Sequence, residues 1–432
     1  MSRELIGLIG IVVMLILMFS GMWIATAMAL VGFVGYIILA GLDNALNLLG
    51  MLPYNNVASY SYTAIPLFIF MGNLVSVTGI GQDLFGSAYR WFGRLPGGLG
   101  ISTIGASAGF AAVCGSDVAS IMTMANVALP VLKKHGYDDA LSTGCVVSGG
   151  TLGLLIPPSL AFILYGILTE NSVSALFMAG ILPGVLMVVL FSGLILFWTL
   201  RNPNAGPPGP STTFMEKLAS LKGVWMMIAL FLLVLGGLYF GIFTATEAGA
   251  IGTVGAIIIT VVTRRLSLQH LMNSIYETGI TTCMVIFIII GAFIFMRFLA
   301  ISRLPMWMAT WVAELNMNRY VVFAVIVLFY LVCGMFLEIF SAIMFTIPII
   351  YPLILALGFD PIWFGVVVVI LIEMGLITPP VGLGVYCLSS VTDVPIPRIF
   401  KGALPFAVLM LIAVIILVIF PEIALLIPGR MK

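Results

Sequence analysis

Residues 150–159 read Gly-Thr-Leu-Gly-Leu-Leu-Ile-Pro-Pro-Ser, and residues 373–381 read Glu-Met-Gly-Leu-Ile-Thr-Pro-Pro-Val. Each stretch places two successive prolines inside a strongly apolar segment. Because proline lacks a backbone N–H and its ring clashes with the preceding turn, neither stretch can form a continuous helix. Backbone groups freed at membrane depth are costly unless another group satisfies them. The sequence therefore predicts two discontinuous helices, and a bound cation is one way to satisfy the freed carbonyl oxygens.

The composition indicates that these breaks lie within a membrane protein. Of 432 residues, 62% are apolar, 17 are basic and 16 are acidic. Charged residues make up 8% of the chain, against about 25% in ordinary soluble domains, which is too few to cover a soluble surface. A soluble enzyme, a disordered scaffold and a disulfide-rich secreted domain are thereby excluded. We predict an all-α polytopic protein embedded in membrane lipids, and a net charge of +1 gives no reason to expect nucleic acid as a partner.

The two breaks occupy equivalent positions in an apparent duplication. A shift of 222 residues aligns 121–158 with 343–380 without a gap, and the matches include prolines and glycines that apolar composition alone would not produce. A hydrophilic stretch rich in proline and glycine, 201–222, lies almost at the centre. We predict a first repeat at 1–200, a polar linker at 201–222 and a second repeat at 223–432.

Each repeat is predicted to contain a re-entrant helical hairpin followed by a broken helix. Hairpin 1 covers about 98–132 and hairpin 2 about 319–355, while the broken helices cover about 139–169 and about 361–392. Broken helices at corresponding places in two repeats are typical of secondary transporters, whose sites lie near the midplane where the repeats meet.

The hairpin tips, 112–120 and 334–341, carry polar residues between two apolar arms. The N-terminus of a half-helix has partial positive charge and free amides, which suits an anionic substrate. Acidic side chains at the bilayer centre cost about 2.5–3.5 kcal/mol, so those in apolar segments are candidates for function or internal pairing. They are Asp117, Glu247, Glu338 and Glu373. The alternative for each is a carboxylate that caps a helix terminus.

In these motifs the chain resembles the large membrane subunit of tripartite ATP-independent periplasmic (TRAP) transporters, the DctM-like family. The resemblance covers essentially the whole chain and rests on several stretches in the same order. They are LFIFMGNLVSVTGI (67–80), LPGGLGISTI (95–104), CGSDVAS (114–120), KKHGYDDALSTGCVVSGGTLGLLIPPS (133–159), GIFTATEAGA (241–250) and GLITPPVGLGVYCL (375–388). The chain departs from the family pattern at Ala245, where proline is usual, and at Asp117, where small or hydroxyl residues are commoner.

The resemblance implies Na⁺-coupled import of an organic-acid anion, of the C4-dicarboxylate or sialic-acid class, across a bacterial inner membrane. It implies an elevator-type transporter and no enzymatic activity. Two partners are implied: a small four-helix membrane subunit, and a periplasmic binding protein that delivers the substrate.

The resemblance also implies two Na⁺ sites and a substrate site. The first Na⁺ site would use Ser116, Gly153, Ile156 and Pro158, largely through backbone oxygens. The second would use Gly334, Gly375, Thr378 and Val381. The substrate-side candidates are Ser116, Asp117, Ser120 and Asn126.

Two other functions remain open from the residues alone. One is a proton-coupled or stand-alone organic-anion carrier that uses Glu247, Glu338 or Glu373. The other is an intramembrane hydrolase, which the sequence disfavours because HExxH and GxGD motifs are absent and neither histidine lies deep in an apolar span.

Overall fold

The computed structural model describes residues 2–76, 79–209, 211–315 and 317–431. Within these ranges the regular secondary structure is entirely helical. Seven of the described helices are long and apolar enough to cross a membrane, or up to nine if each of two bent helix pairs counts as one span. The prediction of an all-α, multi-pass membrane protein is confirmed.

Helices α1 to α11 form the first half of the chain. They are α1 (Arg3–Phe19), α2 (Ile24–Ala40), α3 (Leu42–Val57), α4 (Ala64–Ser76), α5 (Ile80–Phe92), α6 (Gly98–Cys114), α7 (Asp117–Lys134), α8 (Asp139–Gly150), α9 (Leu152–Leu155), α10 (Leu160–Thr169) and α11 (Val173–Arg201). Helices α6 and α7 cover the segment predicted as hairpin 1, and α8 to α10 cover the first broken helix.

Helices α12 to α22 follow in the linker and the second half. They are α12 (Phe214–Ser220), α13 (Trp225–Tyr239), α14 (Ala245–Val262), α15 (Leu268–Ser302), α16 (Leu304–Glu314), α17 (Arg319–Phe336), α18 (Ile339–Ala356), α19 (Pro361–Leu376), α20 (Leu383–Ser389), α21 (Ile396–Ile419) and α22 (Glu422–Leu425). Helices α17 and α18 cover the predicted hairpin 2, while α19 and α20 cover the second broken helix.

Four helices form a scaffold in which α2 packs along α15 and α14 packs along α4. Small residues allow these close approaches. A methyl group at Gly32 would lie 2.7 Å from the backbone nitrogen of Phe295, and one at Gly252 would lie 2.6 Å from the sulfur of Met71. Glycine at such contacts is typical of helix packing in membranes, where close backbone approach replaces a hydrophobic driving force.

Helices α8 and α19 are almost entirely enclosed. Residues 140–150 and 363–376 are all buried. Helix α8 packs along α21, and a methyl group at Gly144 would lie 2.5 Å from the carbonyl oxygen of Gly402. Because each of these helices leads into a Pro-Pro break, both breaks begin inside the protein and not at a lipid-facing surface.

The linker predicted at 201–222 is attached to the first half. The backbone N–H of Gly97 donates to the carbonyl of Gly206 at 3.0 Å, and the Tyr137 hydroxyl donates to the carbonyl of Pro207 at 3.0 Å. Burial raises the pKa of Tyr137 to about 12, so its hydroxyl keeps the proton that it donates. Gly206 and Pro207 of the linker are therefore bonded to the turn before α6 and to the turn between α7 and α8.

Candidate functional site

The first hairpin turns within two residues. Helix α6 ends at Cys114, and Gly115 has a φ of +61°, a conformation that favours glycine. Ser116 then caps α7, because its hydroxyl oxygen accepts the Ala119 N–H at 3.4 Å. The chain thus reverses at Gly115 and Ser116, inside the tip predicted from the sequence.

The first break separates α9 from α10 and contains a cis Pro157–Pro158 peptide. Ser159 joins its two sides: the hydroxyl donates to the carbonyl of Leu154 and accepts the N–H of Phe162 at 3.3 Å. The sequence analysis quoted Ser159 but gave it no role. A serine directly before an apolar helical run is a recognisable N-cap signal that could have identified it.

The first tip docks on the first break through backbone contacts. A methyl group at Gly153 would lie 2.6 Å from the carbonyl oxygen of Ser116, and one at Gly115 would lie 2.8 Å from the carbonyl oxygen of Pro158. Three of the four residues predicted for the first Na⁺ site, Ser116, Gly153 and Pro158, therefore meet. The fourth, Ile156, directs its side chain at Gly184 on α11, so only its backbone faces the break.

The second tip docks on the second break in the same manner. A methyl group at Gly375 would lie 2.8 Å from the carbonyl oxygen of Gly334, and the Gly382 N–H donates to the carbonyl of Met335 at 3.4 Å. The Pro379–Pro380 peptide is also cis. The structure thus brings Gly334 and Gly375 into contact.

Thr378 and Val381 flank the prolines of this second break. The Thr378 hydroxyl donates to the carbonyl of Met374 at 2.6 Å, and both side chains are half-buried. Thr378 therefore lies beside the docked tip with its hydroxyl oxygen still able to accept or to bind a cation.

At both hairpin tips, an acidic side chain bonds backbone N–H groups that the sequence analysis expected to be free. The Asp117 carboxylate accepts the Val118 N–H at 2.7 Å, and the Glu338 carboxylate accepts the N–H groups of Phe340 and Ser341 at 3.1 and 3.3 Å. The amides of Val118, Phe340 and Ser341 are therefore not free to bind an anionic substrate, contrary to the expectation for these three donors. Acidic side chains are strongly favoured at helix N-termini, and here they occupy the donors.

The other two acidic residues have opposite environments. Glu247 is exposed, and its carboxylate accepts the Thr244 N–H at 2.8 Å in a capping box that starts α14. Glu247 therefore helps to cap the N-terminus of α14. Glu373 is 0% exposed, and neither carboxylate oxygen has a hydrogen-bond partner among the described residues.

The substrate-side candidates do not all lie together. Ser116, Asp117 and Ser120 share the first turn of α7, where the Ser120 hydroxyl is buried without a hydrogen-bond partner among the described residues. Asn126 is exposed and lies ten residues beyond Ser116, or about 15 Å along the helix axis. It lines a separate polar cavity of about 320 Å³, together with Lys133.

These features define a multi-pass helical membrane protein in which two helical hairpins meet two broken helices. The family model for the DctM component of the tripartite ATP-independent periplasmic transporter matches residues 11–423. The chain belongs to this family and is a TRAP transporter large permease, as the sequence resemblance predicted.

Comparisons with individual proteins agree with this membership. The chain is 34% identical over 371 residues to the C4-dicarboxylate TRAP transporter large permease protein DctM of Pseudomonas aeruginosa, covering 86% of each chain. It is 28% identical over 413 residues to the sialic acid TRAP transporter large permease protein SiaM of Vibrio cholerae, covering 95% of this chain and 96% of SiaM. The crystal structure of the Alcanivorax borkumensis YdaH transporter is similar in fold, with a TM-score of 0.64, 13% identity and coverage of 89% of this chain and 88% of that one.

Proposed function

We propose that this chain imports an organic-acid anion together with Na⁺, as the large membrane subunit of a TRAP transporter in a bacterial inner membrane. The supporting observation is the docking of each hairpin tip on a Pro-Pro break through contacts that only glycine permits. Relatives named for C4-dicarboxylates and for sialic acid share a carboxylate-bearing substrate, and we assign that class to this chain.

Two Na⁺ ions would bind where the tips meet the breaks. Among the described residues, no group of three or more His, Cys, Asp and Glu side chains is arranged to hold a metal ion. The proposed sites would use mainly carbonyl and hydroxyl oxygens. Unwound backbone carbonyls and half-helix ends are the usual Na⁺ ligands in transporters with broken helices. The first site would draw on Ser116, Gly153, Ile156 and Pro158. The second would draw on Gly334, Gly375, Thr378 and Val381.

The substrate would bind beside the first tip, near Ser116, Asp117 and Ser120. The hairpins and broken helices would then move as one body against the scaffold of α2, α4, α14 and α15, which is an elevator mechanism. The interlocked backbone contacts between tips and breaks support a common movement, because separating them would expose buried backbone groups. Asn126 would line the route to or from this site, since it lies on the same helix at a different depth.

Membership of a tripartite family supports two protein partners. A small four-helix membrane subunit would pack against the scaffold in the lipid bilayer. A periplasmic binding protein would deliver the substrate.

Reconstitution of the three proteins in liposomes tests the proposal. Uptake of labelled succinate or N-acetylneuraminate, delivered by the loaded binding protein, should require an inward Na⁺ gradient and both membrane subunits. Uptake that ignores Na⁺ would contradict Na⁺ coupling. A second candidate, proton-coupled or stand-alone carriage, is favoured by the unpartnered Glu373 carboxylate, and uptake driven by a pH gradient without Na⁺ would support it.

A further inference from the structure

The polar cavity of about 320 Å³ that Asn126 lines lies beside the C-terminal half of α7. Its other walls come from the first turns of α8 and from residues 391–394, which connect α20 to α21. The cavity therefore lies between elements from both halves of the chain. Because Asn126 is about 15 Å along α7 from Ser116, the cavity is separate from the substrate site proposed at the first tip.

The polar lining of this cavity belongs to the first repeat alone. Each of four polar lining residues has an apolar counterpart under the 222-residue shift. The pairs are Asn126 and Pro348, Lys133 and Leu355, Asp139 and Pro361, and Ser142 and Phe364. Both members of every pair lie on helices, so the fold that the repeats share does not require polar side chains at these positions.

Two polar groups at the cavity lack a hydrogen bond that they would normally make. Pro130, which also lines the cavity, has no N–H to donate to the carbonyl of Asn126, four residues earlier. Ser142 is buried, and its hydroxyl has no hydrogen-bond partner in the described parts of the chain. Because buried polar groups are nearly always bonded, a ligand that supplies partners is a physical reason for this arrangement.

The charges on the walls favour a ligand that carries two opposite charges. Lys133 on α7 is basic and Asp393 on the connecting segment is acidic, and neither forms an ion pair with a residue that the structure describes. Asp139 is already paired, because its carboxylate lies 3.7 Å from Nε of Arg398. A simple anion would be attracted by Lys133 and repelled by Asp393, and a simple cation would experience the reverse. A molecule with both charges is attracted by both walls.

We propose that this cavity binds a small zwitterion, an amino acid whose carboxylate lies at Lys133 and whose ammonium group lies at Asp393. Asn126 supplies a further donor and a further acceptor through its amide and its backbone carbonyl. A ligand that binds only the folded chain stabilises it, and this one would connect α7 and α8 to the segment after α20. The inference goes beyond the proposed function and does not depend on it, because binding needs neither a Na⁺ gradient nor the partner proteins.

Calorimetric titration of the purified full chain in lipid nanodiscs tests the site, with empty nanodiscs as the blank. Glycine, β-alanine and 4-aminobutyrate differ in the distance between their two charges, and at least one of them should bind and raise the unfolding temperature. Pentanoate and pentylammonium resemble 4-aminobutyrate in length but carry one charge each. They should bind about tenfold more weakly than the best amino acid, because each lacks one hydrogen bond to a charged group.

Two variants test the walls of the cavity. Lys133→Gln and Asp393→Asn should each weaken binding of the amino acid about tenfold, for the same reason. Lys133→Gln should leave the weak binding of pentylammonium unchanged, and Asp393→Asn should leave that of pentanoate unchanged. Lys134→Gln is the matched control, because Lys134 is an exposed neighbour that does not line the cavity, and it should bind like the wild type. Lys133 and Asp393 are also exposed, so both variants should fold, which the unfolding temperature without ligand checks.

Failure of all three amino acids to bind would overturn the proposal. Equal affinities of the wild type and Lys133→Gln, or of the amino acid and either singly charged compound, would do the same. Displacement of the bound amino acid by succinate or N-acetylneuraminate would place it at the substrate site and overturn a separate one. None of these results alters the expected Na⁺ dependence of uptake, so failure of this proposal is distinguishable from failure of the proposed function.

Discussion

Both Pro-Pro breaks contain a cis peptide, but the side-chain hydroxyl that bonds across each break lies on opposite sides of the prolines. In the first, the hydroxyl of Ser159, after the prolines, bonds the carbonyl of Leu154; in the second, the hydroxyl of Thr378, before the prolines, bonds the carbonyl of Met374. The 222-residue shift places Ser159 opposite Val381 and Thr378 opposite Ile156. Each break therefore carries one hydroxyl group that satisfies a carbonyl of the preceding turn.

The two breaks also differ in how far their residues are exposed. Pro157, Pro158 and Ser159 are buried, whereas Pro380 is exposed and Thr378 is half-buried. The first break is closed by a buried side chain that also caps α10, whereas α20 begins at Leu383 and its N-cap residue, Gly382, has no side chain to cap the helix. The comparison indicates a rigid first break and a more accessible second break, and the following changes test it.

The largest effect should come from the glycines on which the tips dock. Gly375→Ala places a methyl group against the backbone of Gly334, and Gly153→Ala places one against Ser116. Because backbone must move in each case, we expect a loss of about 1–3 kcal/mol in stability together with loss of uptake. Thermal unfolding and Na⁺-driven uptake measure the two effects.

Gly193→Ala on α11 is the matched control, because no atom lies within 4 Å of the added methyl group. It should leave stability unchanged or raise it slightly, since alanine favours helix. Equal unfolding temperatures for all three variants would contradict the backbone docking of the tips.

Ser159→Ala should have the next largest effect. It removes the cap of α10 and leaves the buried Leu154 carbonyl without its donor, which costs about 1–3 kcal/mol. Ser390→Ala removes an exposed hydroxyl that bonds Cys387, and it should change the unfolding temperature little. If the two variants unfold at the same temperature, Ser159 does not stabilise the first break.

Thr378→Val should destabilise the protein less but weaken its dependence on Na⁺. The lost hydrogen bond to Met374 costs about 0.5–1.5 kcal/mol. The concentration of Na⁺ that gives half-maximal uptake should rise, because the proposed second Na⁺ site would lose an oxygen ligand. Thr263→Val, which removes a similar bond to Ile259 at the end of α14, serves as the control. Unchanged Na⁺ activation would exclude the Thr378 side chain from the ion site.

The smallest effect concerns the start of the two broken helices. Asp138 and Asp360 cap α8 and α19 alike, but Asp138 also pairs with Arg398 at 2.9 Å. Both partners are partly exposed, so Arg398→Gln should cost only about 0–1 kcal/mol. Thermal unfolding of Arg398→Gln beside Lys401→Gln, an exposed neighbour on α21, measures this cost. A loss of several kcal/mol would show that the pair holds the first broken helix in place.

Local signals in the chain predicted much of this arrangement. Proline pairs interrupt helices wherever they occur, and a long apolar segment has few alternatives to a helix in lipid. The predicted tips at 112–120 and 334–341 accordingly contain both chain reversals, at Gly115–Ser116 and at Leu337–Glu338. The family also followed from the order of motifs in the sequence.

The roles of the acidic residues could not be read in this way. Asp117, Glu247, Glu338 and Glu373 look alike in the sequence, as single carboxylates in apolar surroundings. Two of them, Glu247 and Glu338, proved to be caps bonded to nearby amides, Asp117 bonds the next amide along α7, and Glu373 has no such partner. A carboxylate on a helix can accept a free backbone N–H only if it lies at the start of that helix. A shift of that start by one or two residues therefore decides whether the carboxylate caps the helix.

The sequence by itself determined that this protein is helical, spans a membrane, breaks two of its helices at Pro-Pro pairs and belongs to the TRAP large permeases. Those properties depend on composition and on residues adjacent in the chain. Only the tertiary structure decided that the hairpin tips dock on the breaks, that Ser159 closes one break while Thr378 closes the other, and that Glu373 is buried without a hydrogen-bond partner among the described residues. These depend on how closely backbones separated by many residues approach one another, which glycine permits but does not specify.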